Sequence, residues 1–299
     1  MKGLDHLLSA VSRSFYLSMR FLPREMRSGV AVGYLLARAT DTVADAVDMD
    51  CRERLALLRM MGETVAGAAS REVVATCFGR LGVLSTIQTH RGEAELLARF
   101  PECLALLENL SPHERMLVRQ VLASIVEGQA WDLMYFESHA AVSCSEQLEH
   151  YTYMVAGCVG EFWTRLGLLA QGPGFSTQPE EQLLRWGRHY GMGLQLVNIL
   201  RDREEDLARG RSYLPAPDDR PWLDRAERWL KEGVFYAESL RNGRLRFSTV
   251  LPAWLGLDTL ELLQRADRRH PSSGKVKIAR GDVYFRMWKA FLFSWKEAL

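Results

Sequence analysis

Gln195, Asn198, Asp202 and Asp206 stand at offsets of 0, 3, 7 and 11 within QLVNILRDREEDLARGRSYLP, residues 195–215. At about 100° per residue on an α-helix, the four side chains share one narrow stripe. The stripe carries two carboxylates one turn apart with two amides behind them, beside Val197, Ile199 and Leu200. Burying such a face with nothing to bind is costly, so it calls for water or a cation. A second stripe repeats the pattern: Tyr34, Arg38, Asp41 and Asp45 fall at offsets of 0, 4, 7 and 11, flanked by Leu35, Leu36 and Val43. If the two faces oppose each other across a helical bundle, their carboxylates share one cavity.

The rest of the chain fits a bundle. Strand signals are nearly absent, and helical periodicity recurs throughout. It predicts helices over about 4–20, 24–47, 51–69, 91–109, 112–135, 145–170, 179–208, 222–241, 249–268 and 279–297. Ser111-Pro112-His113-Glu114 reads as a helix start with Ser at the N-cap, Pro at N1 and Glu at N3, and Ser145 reads as a second N-cap. Gly172-Pro173-Gly174 reads as a stop. No linker, low-complexity tract or repeat divides residues 1–299, so a single all-α domain is expected.

Composition narrows the function classes. With 38 Lys and Arg against 37 Asp and Glu, the formal charge is +1, which gives no global attraction to nucleic acid; any anion site must be local. Five cysteines without CxxC or CxxH spacing argue against a disulfide framework or a zinc site and for a reducing cytoplasm. The N-terminal MKGLDHLLSAVSR places Asp5 and His6 where a signal peptide needs apolar residues. No apolar run reaches the roughly 18 residues of a spanning helix.

Either Asp-x₃-Asp alone is common on a solvated helix face. Two of them, each beside an arginine (Arg38 and Arg201), suit either structural ion pairs or a Mg²⁺–diphosphate site. In the second case carboxylates hold the hard metal and guanidinium forks take phosphate oxygens.

Four segments in this order resemble the squalene/phytoene synthase family of head-to-head prenyl transferases: SRSFYLS from Ser12, YLLARATDTVAD from Tyr34, YTYMVAGCVGEF from Tyr151, and the stretch from Gln195 to Pro215. The resemblance implies the all-α isoprenoid synthase fold, a helical bundle around a central cavity. It implies Mg²⁺ ligation by Asp41, Asp45, Asn198, Asp202 and Asp206, with Gln195 alongside, and diphosphate binding by Arg13, Arg38 and Arg201. Tyr151 would stand near the reacting carbons, with Ser12, Phe15, Tyr34 and Val155 lining the substrate pocket. Gly157 and Gly160 would either let a prenyl chain pass close to the backbone or let two helices touch. No covalent intermediate is implied, so His113, His150, His189 and Cys158 are expected to be structural.

Within the family, Asp41-Thr42 resembles squalene synthases, whereas phytoene and dehydrosqualene synthases carry Asp-Asp there. GKVKIARGDVY, from Gly274, resembles the segment of squalene synthases near the reductant. That makes Lys275, Lys277 and Arg280 candidate contacts for NADPH phosphates, or else a basic helix start on the surface. Ala44 and Ala46 stand where squalene synthases have acids, which thins the first metal site, and Phe247 is the nearest match to a family phenylalanine ahead of the helix at 249–268. The implied reaction joins two farnesyl diphosphates through presqualene diphosphate to squalene, with Mg²⁺ and NADPH. Presqualene diphosphate, dehydrosqualene or phytoene are alternative products, and a non-catalytic assembly or binding factor is the alternative of another class. Trp288, Phe291, Phe293 and Trp295 in the last helix are expected in the core; the other reading is peripheral contact with the inner face of a membrane.

Overall fold

The computed structural model describes residues 2–12, 15–215, 218–267 and 277–295, with backbone alone at 2–5, 15, 17, 266 and 267. Those residues form helices and no strand; Ala141 with Ser212 and Ser176 with Leu240 make isolated bridges. The chain divides into two compact units, residues 1–20 with 24–137 and residues 21–23 with 138–299.

The first unit holds α1 (Lys2–Val11), α2 (Phe15–Phe21), α3 (Arg24–Ala44), α4 (Cys51–Ala66), α5 (Arg71–Ile87), α6 (Arg91–Ala98), α7 (Phe100–Glu108) and α8 (Pro112–Ser138); the last residues of α2 and α8 fall in the second unit. Local chemistry sets these boundaries. Asp50 and Glu53 form a reciprocal capping box that starts α4, and Gly67, at φ 76°, ends it. Ser111 and Glu114 make the same reciprocal pair at the start of α8, as their spacing predicts. The helix expected over 91–109 is two helices. Arg99 ends α6, and Pro101, tolerated in a first turn because its missing N–H has no helical partner there, opens α7. The helix expected over 4–20 is likewise two. Helix α5 has no counterpart in the sequence reading. Its run of β-branched residues and two glycines weakens the helical signal, and Val83 and Ile87 are exposed, so no clean apolar stripe marks it.

The second unit begins with one continuous helical segment: α9 (Ser145–Thr152), a π-helical turn at Tyr153–Gly157, and α10 (Cys158–Gln171). Ser145 is the first helical residue rather than the cap; Cys144 holds that place without a side-chain hydrogen bond. A 3-10 turn at Gly172–Gly174 stops the segment. Then follow α11 (Glu180–Ala208), α12 (Arg220–Ser239), α13 (Gly243–Asp267) and α14 (Arg280–Trp295). Buried and half-buried polar pairs join them. The Thr164 and Tyr236 hydroxyls meet at 2.9 Å, Tyr190 donates to the Thr249 carbonyl at 2.8 Å, and His189 pairs with Glu232 at 2.8 Å while stacking on Trp229.

Glycine decides where α10 and α11 cross. A Cβ on Gly160 would lie 1.8 Å from the Gly187 carbonyl oxygen, and one on Gly191 would lie 2.1 Å from that of Ala156. Gly160 therefore serves helix–helix contact, as does Gly157, whose Cβ would meet the Met192 side chain at 2.9 Å. Gly160→Ala and Gly191→Ala are expected to lower stability by about 1–3 kcal/mol or more. Gly79→Ala, in α5 with open space around it, should raise it by about 0.5–1 kcal/mol. Urea denaturation midpoints check the contrast, and equal midpoints for all three would mean that the crossing yields freely.

Candidate functional site

Helix α3 buries Val30, Leu35, Leu36, Ala39 and Val43 and leaves Tyr34, Arg38 and Asp41 half-buried along the other side. Asp45 follows the last helical residue, and its N–H still donates to the Asp41 carbonyl at 2.9 Å. Two carboxylates thus gather at the C-terminal, negative end of a helix dipole, and the last turn contains no base. Arg38 joins the first of them to an acid of another helix. One guanidinium nitrogen donates to Asp41 at 2.6 Å and the other to Glu93, in the first turn of α6, at 2.5 Å. Burial opposes the Arg38 charge, but Asp41 and Glu93 outweigh it and raise its pKa.

Burial first, and then the charge of Asp45, pushes the Asp41 carboxyl up to about 6 against the pull of Arg38. Some 43% of its side-chain surface stays open, so the carboxyl keeps a path to solvent. Tyr34 completes the row. Its hydroxyl donates to the Val11 carbonyl at 3.2 Å, and burial pushes the phenol up while Arg38 and a hydrogen bond with Ser12 oppose the rise. Ser12 itself is buried and donates to the Leu8 carbonyl. Ser12, Tyr34, Arg38 and Asp41 therefore lie along one connected row. Arg13 and the Phe15 side chain lie outside the described residues.

The second face has the same polarity. Helix α11 buries Leu196, Val197, Ile199 and Leu200, leaving Gln195, Asp202 and Asp206 half-buried and Asn198 exposed. Asp202 and Asp206 occupy its last two turns, again without a base in the final one. Arg201 forks onto Asp202 with bonds of 3.0 and 2.6 Å, and this fork raises the Arg201 pKa against a smaller effect of burial. Asn198 donates to Gln195 at 3.5 Å.

Beyond α11, Gly210 at φ 77° turns the chain, and Ser212 exchanges backbone hydrogen bonds with Ala140 and Val142. That fastening sets the Tyr213 ring on Tyr151, centroids 5.3 Å apart and nearly parallel. Tyr151, 9% exposed, precedes the π turn that contains Val155. Such turns recur at functional sites; here the Cys158 backbone N–H closes it on the Tyr153 carbonyl, and the Cys158 thiol donates to the Met154 carbonyl at 2.9 Å.

Glu93 and Tyr213 touch candidate site residues, Arg38 and Tyr151, and sequence reasoning did not single them out. Glu93 reads as an acid complementing a helix start, and nothing in the sequence links it to Arg38. Tyr213 lies inside the second motif, just past a glycine turn, which was a usable signal. Among the described residues no three His, Cys, Asp or Glu side chains converge to hold a metal ion as they stand. The donors nevertheless suit Mg²⁺: carboxylate and amide oxygens at the negative ends of two helices. Arg280 stands exposed as the first residue of α14 and Lys277 exposed three residues before it, and Lys275 lies outside the described residues. Phe247 is buried in a cluster with Val250 and Leu251.

The model of the squalene/phytoene synthase family matches residues 8–218. The chain belongs to that family. Squalene synthase of Saccharomyces cerevisiae is 29% identical over 70% of the chain and 44% of its own length; that of Eremothecium gossypii is 28% identical over 98% and 68%. A bifunctional lycopene cyclase/phytoene synthase of Phaeosphaeria nodorum is 26% identical over 97% of the chain and 49% of its own length. The chain thus spans about half the length of several of the curated relatives it matches. Among solved structures, a ligand complex of TcSQS covers 98% of this chain and 88% of its own at TM-score 0.73 and 23% identity. A dehydrosqualene synthase covers 98% and 95% at 0.65 and 18%. These likenesses establish the all-α isoprenoid synthase fold.

For this family member the electrostatics of α3 set a testable titration. Asp41 should titrate near pH 6 by side-chain ¹³C NMR. Asp45→Asn should lower that value and Arg38→Met should raise it. Because the native carboxyl holds its proton more tightly than the unfolded one, Asp41 lowers stability as pH rises from about 4 to about 6. A midpoint near 4 in the wild type would contradict this.

Proposed function

We propose that the protein is a prenyltransferase of the squalene synthase type, with residues 1–299 acting as one catalytic domain in a cytoplasmic, reducing setting. It would join two farnesyl diphosphates head to head. One farnesyl group ionises, the double bond of the other attacks, and proton loss closes the cyclopropane of presqualene diphosphate. A second ionisation and rearrangement would lead on to squalene, and NADPH, where bound, would supply the hydride that this product requires. The observation that carries this reading is the pair of intact aspartate faces, each half-open at an acid-rich helix end, within a family match that spans both.

The roles follow from the geometry of each face. Asp41, Asp45, Asn198, Asp202 and Asp206 would hold Mg²⁺, with Gln195 beside Asn198. A Mg²⁺ held by these side chains would supply Lewis-acid stabilisation of the diphosphate charge. Arg38 and Arg201 are engaged by neighbouring carboxylates. They would turn their forks to phosphate oxygens when those carboxylates take another cation. Glu93 keeps a second hold on Arg38 and so limits where its fork can swing. The stacked Tyr151 and Tyr213 would offer π faces to an allylic cation, and the Tyr151 hydroxyl would accept or pass the proton. Arg13, Ser12, Phe15, Tyr34 and Val155 belong to the substrate contacts of the same reading. Exposed cations alone do not build a dinucleotide site, so no hydride step is derived from Lys277 and Arg280; with Lys275 they are candidates supported by resemblance.

The phytoene synthase and dehydrosqualene synthase relatives favour a second reading, in which no reductant is used. Incubation with labelled farnesyl or geranylgeranyl diphosphate and Mg²⁺, with and without NADPH, followed by mass spectrometry, separates the two. Squalene formed only with NADPH is the expected result. Dehydrosqualene, phytoene or presqualene diphosphate regardless of NADPH would overturn the reductive half, and no turnover of either substrate would favour a binding factor. Asp41→Ala and Asp202→Ala should each lower turnover by about 10²-fold or more with an unchanged circular dichroism spectrum. Full activity in either would remove its assigned role.

A further inference from the structure

Helix α14 has two apolar faces, and one of them is uncovered. Ala290 and Ser294 are buried, and Met287 and Phe293 pack against the cluster of Ala237, Phe247, Val250 and Leu251. The core expectation therefore holds for Phe293 and fails for Trp288, Phe291 and Trp295. These three join Tyr284, Phe285 and Leu292 at offsets of 0, 1, 4, 7, 8 and 11, a single stripe on the other side. All six are exposed, Tyr284 by 69%, Trp288 by 56% and Trp295 by 60%. Phe285 stacks on Trp288 and Phe291 leans on Trp295, so the rings pair within the stripe. The patch is on the order of 500 Å² of largely aromatic surface, at the size where exposure signals a binding role.

Charge indicates the occupant. Arg280 borders the stripe on one side. Lys289 borders it on the other, its ammonium 4.5 Å from the Phe285 ring centre, and Lys277 precedes the helix. Asp282 lies beyond Lys289, and Arg286 is turned away onto Asp258 at 2.6 Å. An aromatic stripe rimmed by cations is the composition of helices that lie in a membrane interface. A second copy suits it less well. An antiparallel isologous pairing of this stripe would centre near residue 289 and set one Lys289 against the other. Among the described residues no helix is long and apolar enough to cross a membrane. We propose that this face of α14 docks on an anionic lipid bilayer, the helix lying in the surface with its rings at the headgroup boundary. The proposal rests on the α14 surface and not on the reaction.

The test is flotation of the full chain with phosphatidylcholine vesicles, with and without phosphatidylglycerol, alongside quenching of tryptophan fluorescence by brominated phosphatidylcholine. The protein should float with the anionic vesicles and less at high salt. Trp288→Ser with Trp295→Ser should lower partitioning by about tenfold or more. The conservative pair Trp288→Phe with Trp295→Phe should keep flotation but lose the quenching, which guards against a variant that fails to fold. Failure of the wild type to float would overturn the proposal. So would flotation that survives the serine changes in folded protein, or quenching that survives the phenylalanine changes. A dimer that dissociates on the serine changes without vesicle binding would assign the face to a second copy.

Discussion

Negative charge placed at the negative end of a helix is the constraint on which both acid faces of this protein depend. Asp41 and Asp45 close α3, Asp202 and Asp206 close α11, and neither final turn contains a base. Folding alone does not favour that placement, because each carboxylate meets a like charge and an unfavourable dipole. Arg38 and Arg201 relieve it partly through short ion pairs. The rise at Asp41 shows that relief is incomplete on the first face. An arrangement held short of neutrality is suited to taking up further positive charge.

Close packing keeps the second face in place. Gly160, Gly187 and Gly191 bring α10 and α11 to backbone contact beside the π turn at Tyr153–Gly157. Glu161, nearly buried, ties the same helices through Arg188 at 2.6 Å. Past Gly210, the bridge to residues 140–142 returns the chain so that Tyr213 covers Tyr151. The aromatic pair and the acid face are thus products of one set of helix contacts within the second unit.

Much of this was legible in the sequence because the signals are local. The aspartate stripes, the cap at Ser111 and the stop at Gly172 each depend on residues within a turn or two of one another. The parts that were not legible depend on partners far along the chain. Glu93 meets Arg38 across 55 residues, and the glycines of α10 acquire meaning only against those of α11. The π turn needs one extra residue per turn, which no apolar period announces. In α14 the wealth of aromatic residues was plain and their burial was expected, but composition is silent on which face of a helix its neighbours cover, and Trp288, Phe291 and Trp295 are exposed.

On the proposed function, both acid faces would receive a cation with a diphosphate. Calorimetric unfolding with and without Mg²⁺ plus inorganic diphosphate tests it most directly, using wild type, Asp45→Asn and Asp206→Asn. The account predicts that each variant is at least as stable as wild type without ligand, and that the ligand-induced rise in Tm seen in wild type shrinks in both. No rise in wild type, or an undiminished rise in either variant, would contradict it.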